Sequence, residues 1–109
     1  MPNGVDRNFV RYISCISGFK NKFKHWPTRI RLDSQFIKEL NEVMTHEDYL
    51  KMSQKVTLIS DDSNPWDGIY IAEDDNGNTY DLMRHGHGPG RHDDVLNWFG
   101  IKWPNYGED

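Results

Sequence analysis

Cysteine is almost missing from this chain: Cys15 stands alone in 109 residues. A single thiol forms no disulfide within the chain and no thiolate cluster for zinc, so a reducing compartment is the expected setting. Long apolar runs are missing as well. The longest stretch is about four residues, against the roughly twenty a membrane-spanning helix needs, so no membrane is expected as a partner. The opening Met-Pro-Asn-Gly-Val-Asp-Arg-Asn lacks the basic-then-apolar pattern of a secretory signal. These absences together predict a soluble, cytoplasmic protein.

Basic residues are scarce in one half only. Residues 1–55 carry ten Lys/Arg against six Asp/Glu, and residues 56–109 carry three against eleven, so the net charge of −4 divides into +4 and −8. That division predicts either halves that interleave on a folded surface or a molecule with one basic and one acidic face. No repeat, low-complexity stretch or linker interrupts the chain, which reads as one domain over residues 1–109 with a polar tail at 104–109. Four Trp, five Tyr and five Phe supply an aromatic-rich core for a domain of this size.

Periodicity places the elements. Phe9, Ile13 and Ile16, flanked by Val10 and Tyr12, predict a helix over 6–19 that Asp6 starts and Gly18 helps to end. Residues 28–32 alternate, with Ile30 and Leu32 inward and Arg29 and Arg31 outward, as a half-buried strand does. Asp33 or Ser34 caps a second helix with the apolar face Phe36, Ile37, Leu40, Val43 and Met44. Thr45 caps a third, which is expected to bury Tyr49, Leu50 and Met52. Strands are expected at 56–60, 69–72 and 79–83. The last two are joined by Asp75-Asn76-Gly77-Asn78 in a type I′ turn. Asp93 or Asp94 caps a final helix through Phe99, which Gly100 ends, and Ile101 and Trp103 pack back on the domain. The order α-β-α-α-β-β-β-α is that of an α+β fold. It predicts a three- or four-stranded, mostly antiparallel sheet against three or four helices, arranged as a meander with β1 joined by a helical crossover.

Site chemistry concentrates in Arg84-His85-Gly86-His87-Gly88-Pro89-Gly90-Arg91-His92, followed by Asp93 and Asp94. His85 and His87 are close enough to reach one ion from an extended backbone, and His92 with Asp94 or Asp93 completes a four- or five-coordinate set. Imidazole with carboxylate suits zinc, nickel or iron(II), and zinc or nickel is the cofactor this loop would take. Leu82-Met83-Arg84-His85-Gly86 resembles the strand-plus-Arg-His-Gly signature of histidine phosphatases over five residues. The resemblance implies a phosphorylated histidine and a phosphate-holding arginine. That family carries the motif near its N-terminus, on the first strand of a larger parallel sheet. Here it follows a hairpin, and no role is carried over.

Two further surfaces are candidates for partners. From Phe19 to Arg31, Lys20, Lys22, Lys24, Arg29 and Arg31 interleave with Phe19, Phe23 and Trp26, a composition suited to phosphates and bases. The alternative is an inward-turned aromatic corner with solvated lysines. Trp66, in the loop Asp61-Asp62-Ser63-Asn64-Pro65-Trp66-Asp67-Gly68, is either a lid on the core or an anchor for a partner. A calcium loop fails on register, because Gly77 at the sixth position puts Ala72 first and Met83 twelfth. Cys15 sits beside an apolar helical stripe and reads as a filler rather than a nucleophile. With no coherent catalytic set, the leading expectation is a protein-binding or regulatory module, engaging a protein partner or a second copy through Trp66, Trp26, Arg29 and Arg31. The alternatives are a metal-binding domain or metal-dependent hydrolase using His85, His87, His92 and Asp94, and nucleic-acid binding through residues 19–31.

Overall fold

Burial of one continuous stripe, from Phe9 through Tyr12, Ile13, Ile16 and Phe19, holds the longest helix against the rest of the molecule. The computed structural model describes residues 4–63, 68–86 and 92–101. Helix α1 spans Gly4–Phe23 and packs on the sheet and on the C-terminal helix. It runs past the expected end at Phe19 because Gly18 is not its stop. A Cβ there would lie 2.5 Å from two ring carbons of Tyr80, so the missing side chain lets that ring lie against the helix. The helix ends instead at Lys24, whose φ is 67° and whose N–H donates to the Lys20 carbonyl at 2.8 Å.

Strand β1 (Arg29–Leu32) leads into α2 (Ser34–Val43) and α3 (His46–Lys55). Both helices start as their sequences predict: Asp33 accepts from the Phe36 N–H, and Thr45 accepts from the Asp48 N–H. Met52 and Phe36 are buried, but Leu50 is 47 % exposed. Buried Met52 and Val56 and half-buried Tyr49 set the inner side of α3, and Leu50 falls outside that arc.

Strands β2 (Thr57–Ser60), β3 (Tyr70–Glu73) and β4 (Thr79–Asp81) complete a four-stranded sheet in the order β2-β1-β3-β4. The expected helical crossover is there: α2 and α3 carry the chain from β1 to β2, which pair in parallel. The meander is not, because β1 pairs antiparallel with β3 and so stands between β2 and β3. Two of the three pairings are antiparallel. With helices before, between and after the strands, this is an α+β fold built on one core.

The turn between β3 and β4 departs from type I′. Gly77 takes a φ of 88° while Asn76 stays at negative φ, and the Asp74 N–H donates to the Asn78 carbonyl at 3.2 Å. Strand β4 also stops two residues before the expected Met83. Asp81 accepts from the Met83 N–H at 3.0 Å and so starts a helical turn, α4 (Leu82–His85). The Arg84-His85 pair therefore lies on a helix rather than at a strand end. Helix α5 (His92–Phe99) begins before Asp93 and Asp94, so both lie inside the helix rather than at the position before its first residue. Ile101 is buried as expected, and Trp103 lies outside the described residues.

The pairing register sorts the sheet's side chains. Ile30, Leu32, Tyr70, Ala72 and Tyr80 share the buried face with the helices. Arg29, Arg31, Ile71 and Glu73 lie on the opposite, half-exposed face.

Candidate partner-binding site

Where α1 ends, the chain turns through Lys24 and His25 and presents Trp26 toward α5. The Trp26 and Trp98 rings stack with centroids 4.4 Å apart and planes 4° from parallel. Helix periodicity explains the partner. Val95 and Phe99 are buried on the inner face of α5, while Asp94, Asn97 and Trp98 share another face at i, i+3 and i+4. Lys20, one turn before the end of α1, holds its ammonium 5.4 Å from the centre of the Trp26 ring, close enough for cation–π attraction. Lys20, Trp26, Asp94, Asn97 and Trp98 line an open recess of about 370 Å³. Its floor is aromatic, and its walls carry an ammonium, a carboxylate and a carboxamide.

The corner that holds Trp26 is anchored from the far side of the chain. His25 Nδ1 lies 2.9 Å from the Phe23 carbonyl and Nε2 lies 2.6 Å from Asp74 Oδ2, so the ring bridges the end of α1 and the buried carboxylate. Asp74 is 2 % exposed and also accepts from the Asn76 and Asn78 N–H groups and the Asn78 amide. Burial pushes its carboxyl up, but the donors from His25, Asn78 and Asn76 prevail and hold it well below the usual carboxylate range.

Arg29 and Arg31 do not join the recess. Arg29 Nε donates to Glu73 at 2.9 Å and its Nη1 donates to Asp75 at 3.0 Å. Arg31 Nε donates to the other Glu73 oxygen at 3.1 Å, and its Nη1 lies 3.7 Å from Asp61 Oδ2. Both guanidinium groups are thus spent on a ladder of carboxylates across the open sheet face. Within residues 19–31 the structure leaves Lys20 and Lys22 over aromatic rings, at 5.4 and 5.5 Å.

The members of the histidine loop are placed in different ways. His85 stacks on Tyr80 at 5.0 Å, and its Nδ1 lies 3.0 Å from the Asp81 carbonyl. Asp94 lines the Trp26–Trp98 recess. His87, the side chains of His92 and Asp93, and Trp66 lie outside the described residues. Among the described residues no group of three His, Cys, Asp or Glu is arranged to hold a metal ion. Cys15 is buried, its thiol within 3.2 Å of the Tyr70 carbonyl, and burial pushes it up to about 12.

Trp98, Asn97 and Lys20 were missed as a group in the sequence. The signal was local for two of them, because Asp94, Asn97 and Trp98 repeat at helical spacing beside the core face of α5. The His25–Asp74 contact carried no local signal, since its partners are 49 residues apart. Comparison with protein families, with curated proteins and with solved structures finds no match for this chain.

Proposed function

We propose that the protein is a small protein-binding module, acting in the cytoplasm, whose partner docks a polypeptide segment at the Trp26–Trp98 recess. The observation that carries this reading is the half-exposed parallel indole pair with Lys20, Asp94 and Asn97 around it. Tryptophan is enriched where truncation costs a complex most, because it offers a large apolar surface at little conformational cost. The two indoles are already stacked before a partner arrives, so little ordering remains to oppose binding. An apolar or proline side chain fits the aromatic floor. Asn97 offers both a donor and an acceptor to a peptide backbone, and Lys20 favours a carboxylate on its side of the recess. The lone buried thiol is compatible with a reducing cytoplasm.

Selection of binders from a displayed random-peptide library, followed by NMR of the indole N–H signals, tests the proposal. Selected peptides should shift the Trp26 and Trp98 signals, and Asn97→Arg should weaken them about tenfold or more, as loss of a central contact does. Peptides that bind with both indole signals unmoved, or a library that yields no binder, would overturn it.

A further inference from the structure

The two edges of the sheet are finished differently. At one edge β4 is three residues long and passes at once into the α4 turn, so it offers little backbone to a neighbour. At the other edge β2 reads Thr-Leu-Ile-Ser, with no proline and no charge. Monomeric proteins guard such edges with lysine, proline, bulges or a covering element. The Thr57 N–H donates to the Thr28 carbonyl at 3.0 Å, and the Asp61 N–H donates to the Leu32 carbonyl at 2.8 Å. Residues 57, 59 and 61 therefore turn their backbone toward β1, and by alternation Leu58 and Ser60 turn theirs outward. Among the described residues no backbone partner meets those outward groups.

We infer that β2 pairs antiparallel with β2 of a second copy of this chain, joining two sheets edge to edge. The edge is self-complementary in three respects. Setting Leu58 against Ser60 of the second copy, about a two-fold axis normal to the sheet, lets both outward residues exchange N–H and C=O bonds. That register puts Ile59 against Ile59 on the open face, covering two half-buried apolar side chains. It also brings Lys55, the last residue of α3 and two before the strand, toward Asp61-Asp62, just beyond the strand's other end in the second copy, and does so twice. A parallel arrangement would set like charges together. The choice of a second copy over an unrelated strand rests on this charge order. The surface is separate from the Trp26–Trp98 recess, whose lining comes from α1, the corner after it and α5.

Sedimentation equilibrium across concentrations from micromolar to millimolar tests the inference on the full chain. Two variants accompany it: Ile59→Lys, which opposes two like charges at the two-fold, and Ser60→Pro, which removes an outward N–H. The wild type should rise from monomer mass toward twice that value. Both variants should stay monomeric, and amide exchange at Leu58 and Ser60 should slow with concentration in the wild type alone. Circular dichroism confirms that each variant folds, and if one does not, the other decides. Asn97→Arg should dimerise like the wild type, which separates this interface from the recess. A wild type that stays monomeric throughout, or a dimer unaffected by the folded variants, would overturn the inference.

Discussion

Gly18 is the residue at which local preference and tertiary packing disagree most. In mid-helix, alanine is normally worth about 1 kcal/mol over glycine. Here the added Cβ would meet the Tyr80 ring at 2.5 Å. That ring is not free to swing aside: its hydroxyl donates to the Gly86 carbonyl at 2.7 Å, and its face lies on His85. Overfilling a packed core costs about 1–3 kcal/mol, which outweighs the helical gain. Gly18→Ala is therefore expected to lower the free energy of unfolding by about 1–2 kcal/mol in urea titrations. In a background already carrying Tyr80→Ala, the same change should be neutral or stabilising. Stabilisation by Gly18→Ala alone would show that the ring gives way. In sequence Gly18 reads as a helix end, because a ring arriving from 62 residues away leaves no mark beside it.

At the scale of elements, what was legible in the sequence was whatever local chemistry decides. Asp33 and Thr45 start α2 and α3 where their side chains predict, and Ile30, Leu32, Arg29 and Arg31 alternate as written. The sheet order was not legible, since β1 could join either edge of a hairpin without any change in its own pattern; only long-range packing puts it in the middle. The candidate site divides the same way. Trp26 was visible as a corner aromatic, but its partner Trp98 becomes one only when α5 crosses the end of α1. The end of α1 also carries a strain that sequence rules do not anticipate. Lys24 occupies the left-handed region at φ 67°, a conformation that glycine usually supplies where a helix ends in this way. A side chain there costs roughly 1–2 kcal/mol, partly offset by the greater freedom glycine has when unfolded. Lys24→Gly should thus raise the melting temperature by a few degrees, corresponding to about 0.5–1 kcal/mol. The Trp26–Trp98 stack should survive, as read by unchanged indole signals. An unchanged or lower melting temperature would mean that the lysine side chain holds the corner by contacts stronger than the strain.

Over the whole molecule, the +4 and −8 halves of the sequence are brought together across the sheet. Arg29 and Arg31 of the basic half meet Glu73, Asp75 and Asp61 of the acidic half, and His25 meets Asp74. Of the two arrangements the charge division allows, these contacts realise the interleaved one along β1 and β3. Exposed pairs in such a ladder are screened by water and salt, so most contribute little individually. Asp74 is the exception, because its side chain is enclosed and its donors come from both halves. Its carboxyl titrates well below the usual range in the folded chain and near an ordinary value of about 4 in the unfolded one. The sign of the pH effect follows. Above the unfolded value neither state binds the proton, and the stabilisation is fully present. As pH falls below about 4 the unfolded chain takes up a proton that the folded chain refuses, and stability declines toward the folded value. Asp74→Asn removes that proton uptake. The variant should be less stable than the wild type at neutral pH, having lost the charged acceptor that joins the α1 corner to the β3–β4 turn. Its unfolding free energy should also fall less steeply under acid, by up to one proton's worth of slope. Denaturant titrations at a series of acidic pH values measure both. Parallel acid slopes for the two proteins would place the proton linkage elsewhere, at Asp61 in the first instance, where the Ser63 N–H and hydroxyl lower the carboxyl as well.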